Sequence, residues 1–363
     1  MPEVRAMWVA RWSITSLDAV SRVVELAKKY GYNALFVQVR GRGDAFYKSH
    51  YEPRAEDLKD QPADFDPLGL ILEEAHKNGI QVHAWLNTHY VWGSSSKPVS
   101  PQHIVNRRPD WLMRTIDNEI TWTVGAQTEG AYTCPSNHYV REFLHKVFLD
   151  VVKNYNVDGV HLDFVRYPSP DYCYCDGCVQ RFAEFMDFTL LPEDRAVISN
   201  YPSRLAYILA YPTKWDEWRQ QQITTLVAGI YKDVKKAKPS VAVSAAVFPN
   251  WEDAANNRFQ DWKKWLADKQ LDFICPMAYS QKTETVAQQI GEAVTAAGTI
   301  PVYAGIGSWQ TTAESTAEKI DQSRKAGARG VILFSYGGVT DEGSKEDYLK
   351  EVQSRAFQND TKP

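Results

Sequence analysis

The stretch "NHYVREFLHKVFLDVVKNYNVDGVHLDFVRYP", residues 137–168, reads as a long helical segment followed almost at once by a short apolar strand, "DGVHLDFV" (158–165). A helix that feeds straight into a buried strand is one unit of an α/β fold, in which helices cover the faces of a parallel sheet. The strand contains an oddity. Asp163 stands among bulky apolar residues, and burying an ionised carboxylate without partners is costly, so the position must be wet, paired or chemical.

The same unit recurs on both sides. Toward the N-terminus, "RAMWVAR" (5–11) precedes "SLDAVSRVVELAKKYGY", where Leu17, Val20, Val24 and Ala27 keep one helical face and Gly31 closes the helix. "NALFVQVR" (33–40), "DPLGLILEEAHKNGI" and "QVHAWLN" (81–87) follow. Toward the C-terminus, a long helical stretch at 204–237 leads to the runs 241–249, 271–280, 301–308 and 330–338. Helical stretches near 259–269, 284–297, 313–326 and 343–356 separate and follow these runs. Eight strand and helix units in strict alternation predict a (β/α)8 TIM barrel spanning residues 1–363 as a single catalytic domain, with an open doubly wound sheet as the weaker alternative. No glycine-rich phosphate loop follows any strand. Two long insertions are expected, at 88–136 after the third strand and 169–203 after the fourth, and the aromatic content of the first argues against disorder.

Composition narrows the partners. The 363 residues are 44% apolar and 12% aromatic, with a net charge of −4 and scattered basic residues. That pattern predicts neither nucleic-acid nor anionic-membrane binding. No apolar run approaches the length of a membrane span. The expected setting is periplasmic or secreted, with a signal peptide preceding this chain, and a cytoplasmic one stays open. Five cysteines, three of them in "CYCDGC" (173–178), do not make a secreted disulfide framework. The C-x-C-x2-C spacing with Cys134 is instead a candidate zinc set of Cys134, Cys173, Cys175 and Cys178, structural rather than catalytic, with free surface thiols as the alternative. No cofactor is expected for catalysis.

In such a barrel the chemistry lies at the C-terminal strand ends. The second ends in "QVRGRGD", with Gln38, Arg40 and Asp44; the third in "WLNTHYVW", with Asn87, His89, Tyr90 and Trp92; the fourth in Asp163, Arg166 and Tyr167. Tyr279, Trp309 and Tyr336 follow the sixth, seventh and eighth. Aromatic rings beside amides and arginines suit sugars, so an oligosaccharide or polysaccharide substrate is expected. The two-residue period places His161 on the same inward face as Asp163, and puts Asp158 at the opposite end of the barrel. Asp163 is the principal catalytic candidate. Hydrolysis ordinarily needs a second carboxyl group, and Asp44, Glu129, Glu252, Asp253 and Asp341 are the candidates, each of which taken alone reads more readily as a solvated loop charge.

"RAMWVAR", "QVRGRGDAFYKS", "VHAWLNT", "CPSNHYVREF" and "DGVHLDFVRYP", in this order and spacing, resemble the glycoside-hydrolase-like family 10 proteins, long known in bacteria as a domain of unknown function. The resemblance implies glycosidic-bond hydrolysis, and because some members act on peptidoglycan glycan stripped of its peptides, it implies an N-acetylhexosamine-containing glycan. "DGVHLDFVRYP" is also similar to the strand-four signature of family 18 chitinases, but His161 replaces the middle aspartate and Val165 or Arg166 stands where the glutamate would be. Asp163 would then take the acid role itself, with help from a substrate acetamido group if no second carboxylate approaches. The cysteine arrangement is similar to the zinc cluster of family 42 β-galactosidases. A neutral plant or algal polysaccharide as substrate, or a carbohydrate-binding barrel without catalysis, are the alternatives.

Overall fold

The computed structural model describes residues 2–125, 128–201, 203–340 and 345–357. Eight parallel strands close into a barrel in chain order: Val4–Val9, Ala34–Arg40, Gln81–Asn87, Gly159–Asp163, Ala242–Val247, Phe273–Ala278, Tyr303–Gly307 and Gly330–Phe334, with the first pairing the eighth. The TIM barrel expected from the alternation is therefore the fold. The second and third strands end where their runs do, and the other six end earlier than the runs suggest. Arg11–Ile14 is a short 3-10 turn and Tyr336–Thr340 a short helix.

The connecting helices begin where side chains can accept from free backbone N–H groups: Ser16 from Ala19, Asp66 from Gly69, Asn137 from Tyr139 and Thr312 from Ser315. The stretch at 204–237 is two helices, Ala206–Ala210 and Pro212–Ala237, because Pro212 opens a new helix and cannot continue the old one. Between the third and fourth barrel strands lie an antiparallel pair, Tyr90–Trp92 with Ala131–Tyr132, and the short helix Ile104–Arg107. After the fourth strand come the helix Asp176–Thr189 and the 3-10 segment Asp194–Asn200.

Alternation along the strands divides the core in two. One set, including Met7, Val9, Leu35 and Val37, packs against the helices. The other fills the barrel: Trp8, Phe36, Trp85, Phe273 and Ile332. His161 and Asp163 belong to the inward set, in register with Trp85 and Asn87 of the third strand. Asp158 sits at the other end, accepting from Val82 N (2.8 Å) and facing His76 Nε2 (2.9 Å).

Trp8 is one of two tryptophans in the inner layer, and the seventh strand makes room for it by carrying glycine. A Cβ on Gly305 would lie 2.9 Å from Trp8 Cη2 and 2.6 Å from the Pro276 carbonyl oxygen. Gly305→Ala is expected to destabilise the fold by about 1–3 kcal/mol through overpacking, measured as a lowered urea midpoint at unchanged slope.

Candidate active site

The fourth barrel strand delivers Asp163 to the barrel mouth, and the chain turns sharply behind it. Phe164 adopts a left-handed conformation (φ 47°), which is strained for a bulky residue and is typical of functional turns. The turn aims the Phe164 N–H at its neighbour's carboxylate, donating to Asp163 Oδ1 at 2.7 Å. Trp85 Nε1 donates to Asp163 Oδ2 at 3.1 Å and shares that proton with Asn87 Oδ1 at 3.0 Å. Asn87 in turn accepts from Gln38 Nε2 (3.3 Å) and donates to the Gly41 carbonyl (2.9 Å). Below the carboxylate, His161 Nε2 accepts from Trp8 Nε1 (3.2 Å), leaving Nδ1–H to donate to Ser244 Oγ (2.9 Å). Burial, and secondarily His83, hold His161 neutral.

A second carboxylate approaches from the segment after the third strand. Glu129 Oε1 accepts from Arg166 Nη2 at 2.8 Å and Oε2 from the Tyr132 hydroxyl at 2.6 Å. The Arg166 guanidinium is buried, lying 4.8 Å from the Phe164 ring centroid and 5.2 Å from that of Phe248. The two carboxyl groups are driven in opposite directions. Burial pushes Asp163 up to about 6, against the pull of the Phe164 N–H, Arg166 and Trp85, with Glu129 adding to the rise. Burial also opposes ionisation of Glu129, but the charge and hydrogen bond of Arg166 and the Tyr132 hydroxyl hold it below the usual carboxylate range. One carboxyl group is thus poised to keep a proton where the other has lost it.

Both groups line a cavity of about 800 Å³ at the barrel mouth. Its walls are largely aromatic, with Trp8, Trp12, Trp85, Tyr90, Phe248, Tyr279 and Phe334, and Arg11, Gln38, Asn87 and Gln289 are among the polar positions. Trp309 stands just outside, 45% exposed and edge-on to Tyr279 (5.1 Å) and Phe334 (5.4 Å). Of the residues singled out from the sequence, Gln38, Asn87, Tyr90, Glu129, Asp163, Arg166 and Tyr279 line this cavity, while His161 supports its floor.

Several others do not reach it. Arg40 is fully buried, gripping Glu52 through Nε (2.8 Å) and Nη2 (2.7 Å) and the Asn87 and Thr88 carbonyls through Nη1, so it locks the second strand to the third. His89 is buried against Thr133 Oγ1 (3.1 Å), and burial lowers it to about 3. Trp92 is buried with its indole N–H on the Ser96 carbonyl (2.6 Å). Tyr167 packs edge-on against Phe259 in the core, and Tyr336 is buried in its short helix. Asp44 is buried, accepting from the Arg42 N–H at 3.0 Å, and closes its own turn. Glu252 opens onto a separate cavity beside Trp251, Lys263 and Glu292, and Asp253 accepts from Asn257 on the same helix. Asp341 lies outside the described residues. The sequence reading passed over Arg11, Trp12, Trp8 and Trp85. For Trp85 the signal was present, since it sits two residues before Asn87 and must share its inward face.

Away from the cavity, the Sγ atoms of Cys134, Cys173, Cys175 and Cys178 come within 4.8 Å of one another, all buried, with no disulfide. The Cys134 and Cys178 sulfurs are 3.2 Å apart, those of Cys134 and Cys175 3.9 Å. Ser136 Oγ lies 3.0 Å from Cys178 Sγ, and Arg181 reaches both Ser136 Oγ (2.9 Å) and Cys134 Sγ (3.8 Å).

Known proteins resemble this chain in sequence and in fold. The glycosyl hydrolase YngK of Bacillus subtilis is 27% identical over 311 residues, an alignment covering 76% of this chain and 54% of that protein. The glycosyl hydrolase DigH of Escherichia coli is 24% identical over 307 residues, covering 77% of this chain and 60% of that one. The chain thus spans little more than half the length of these relatives. Among solved structures, the PgaB (BpsB) glycoside hydrolase domain of Bordetella bronchiseptica superimposes with a TM-score of 0.70 at 13% identity, covering 98% of this chain and 100% of that one. A catalytic mutant of Gan42B, a GH42 β-galactosidase from G. stearothermophilus, does so with a TM-score of 0.68 at 14% identity, covering 97% of this chain and 56% of that one. At these identities the structural likeness speaks to the fold. The profile of the glycosyl hydrolase-like 10 family matches residues 3–323, and the chain belongs to that family.

Proposed function

We propose that this protein is a glycoside hydrolase in which Asp163 protonates the leaving glycosidic oxygen and Glu129 is the second carboxylate. The observation that supports this most is the pair of carboxyl groups lining one aromatic cavity, with Asp163 raised to about 6 and Glu129 lowered. Such a split assigns acid and base, or acid and nucleophile, to two chemically identical groups. Arg166 would keep Glu129 ionised while charge builds on the sugar ring, and the indole N–H of Trp85 would hold the Asp163 carboxyl in place. Trp12, Trp85 and Tyr279 offer faces and edges for sugar C–H groups, and Gln38, Asn87 and Gln289 offer hydroxyl partners.

For the substrate, we favour an N-acetylhexosamine-containing glycan such as peptide-free peptidoglycan. The family resemblance supports it, as does apolar lining from Ala246 and Met277 that suits an acetamido methyl. A periplasmic or secreted setting accords with such a substrate. No helix among the described residues is long and apolar enough to cross a membrane.

Four clustered thiols at these separations also match a tetrahedral zinc site, whose Zn–S bonds of about 2.3 Å place the sulfurs a little under 4 Å apart. We propose that Cys134, Cys173, Cys175 and Cys178 hold a structural zinc, with Arg181 offsetting the excess thiolate charge. Such a site would tie the segment carrying Glu129 to the one following Arg166.

Three outcomes test these assignments. With peptide-free glycan and a neutral β-glucan as substrates, mass spectrometry should show cleavage of the amino-sugar glycan. Asp163→Asn should lower that turnover by about 10²-fold or more, and Glu129→Gln should do likewise, with folding retained by circular dichroism. Unchanged turnover in Asp163→Asn would refute its role. The pH profile of kcat/KM should fall as pH rises through about 6, because the proton that Asp163 donates is then lost from the free enzyme. Metal analysis should find zinc bound by the four cysteines, and Cys178→Ser should lose it and melt about 5 °C or more lower.

A further inference from the structure

Arg11 sits at the cavity wall immediately after the first barrel strand, and its surroundings are built to hold it there. Its side chain lies across Gly41, where a Cβ would fall 2.5 Å from Arg11 Cδ and 3.0 Å from Nε. Its guanidinium carbon lies 5.1 Å from the Trp12 ring centroid. Only glycine at 41 leaves this berth open, so the "RGRGD" turn that follows the second strand shapes the seat of an arginine from the first.

The donors of this arginine are poorly met. Among the described residues, Nε is buried without a hydrogen bond, and Nη1 reaches Gln38 Oε1 only at 3.5 Å. The nearest carboxylate, Asp57, is 3.5 Å from Nε and is shared with Arg42, which holds both its oxygens at 3.2 Å. Arg166, by contrast, is engaged by Glu129 at 2.8 Å. Among the described residues, the charged ones lining the cavity are Arg11, Arg166, Glu129 and Asp163. Arg166 thus has a carboxylate of the lining to itself, whereas Arg11 has only the one behind the wall that it shares with Arg42.

We propose that Arg11 recognises a carboxylate on the substrate, so that the glycan taken by this site is an acidic one. A planar guanidinium whose donors are only loosely met and partly desolvated matches a carboxylate in two parallel hydrogen bonds, a far stronger pairing than with a neutral hydroxyl. The acid-bearing sugar is either a hexosamine with a lactyl ether, whose carboxyl is free once no peptide is attached, or a uronate. This assignment rests on the glycosidase reading above and narrows its substrate class.

The test is calorimetric binding to Asp163→Asn protein, which retains the probe intact. One probe series is an N-acetylglucosamine/N-acetylmuramic acid tetrasaccharide and its methyl ester; the other is a β-linked glucuronic acid oligosaccharide and its methyl ester. In one series the free acid is expected to bind about tenfold tighter than the ester, or better. Adding Arg11→Gln should bring the acid-to-ester ratio close to one, Arg11→Lys should restore part of it, and Gly41→Ala should reduce it by displacing the guanidinium. The ratio is read within each variant, so a general loss of affinity does not imitate the effect. A preference confined to the glucuronic series upholds the role of Arg11 and replaces the amino-sugar substrate. Equal affinity for acid and ester in both series, a preference that survives Arg11→Gln, or no binding of any probe overturns it. Cleavage of a glycan without any acid preference would leave the glycosidase reading standing and remove this one.

Discussion

A carboxylate at the throat of a closed parallel barrel has no bulk water to solvate it, so the protein must supply its donors. Asp163 receives the Phe164 N–H and the Trp85 indole N–H, and among the described residues no cation lies within ion-pair distance. The cation that approaches, Arg166, is taken by Glu129 instead. This choice of partner sets the chemistry of both groups. Paired directly with Arg166, Asp163 would be an ordinary low carboxylate; left with two neutral donors, it stays protonated to about 6. Glu129, more exposed, is the one that keeps its charge.

The arrangement depends on bringing two irregular segments to one edge of the barrel. Glu129 precedes the short strand Ala131–Tyr132, which pairs with Tyr90–Trp92, and Tyr132 then donates to Glu129 itself. Five residues after Glu129 comes Cys134, and seven after Arg166 comes Cys173, so the sulfur cluster joins the same two segments whose side chains form the ion pair. The inner barrel layer supports the other side of the site. Trp8 reaches His161 beneath Asp163 because the seventh strand is glycine where the indole passes.

The misplaced residues share one cause. Arg40, His89 and Trp92 belong by type to a sugar site, and they stand at strand ends or just beyond. Each was captured by a partner invisible from local spacing: Glu52, Thr133 and the Ser96 carbonyl. Asp44 lies in a turn and Glu252 in the short helix Trp251–Asn257, but one turns back on its own backbone and the other faces a neighbouring cavity. Glu129 was one acidic loop residue among several, with nothing in its immediate sequence to set it apart. Its distinction comes from Arg166, 37 positions away.

What the sequence determined by itself was periodic. Alternation of short apolar runs with amphipathic helices favoured a (β/α)8 barrel over an open doubly wound sheet, and the two-residue period dictated that His161 and Asp163 share one face, because strand geometry leaves a side chain only two directions. Close spacing likewise kept Cys173, Cys175 and Cys178 together, since neighbours in sequence cannot lie far apart, whereas the fold decided that Cys134 joins them. Tertiary structure alone decided which carboxylate joins Asp163, which arginine faces the cavity, and how far each acid moves from its usual value. Those outcomes depend on the direction of loop side chains and on long-range competition for a few buried donors, and no local periodicity encodes either.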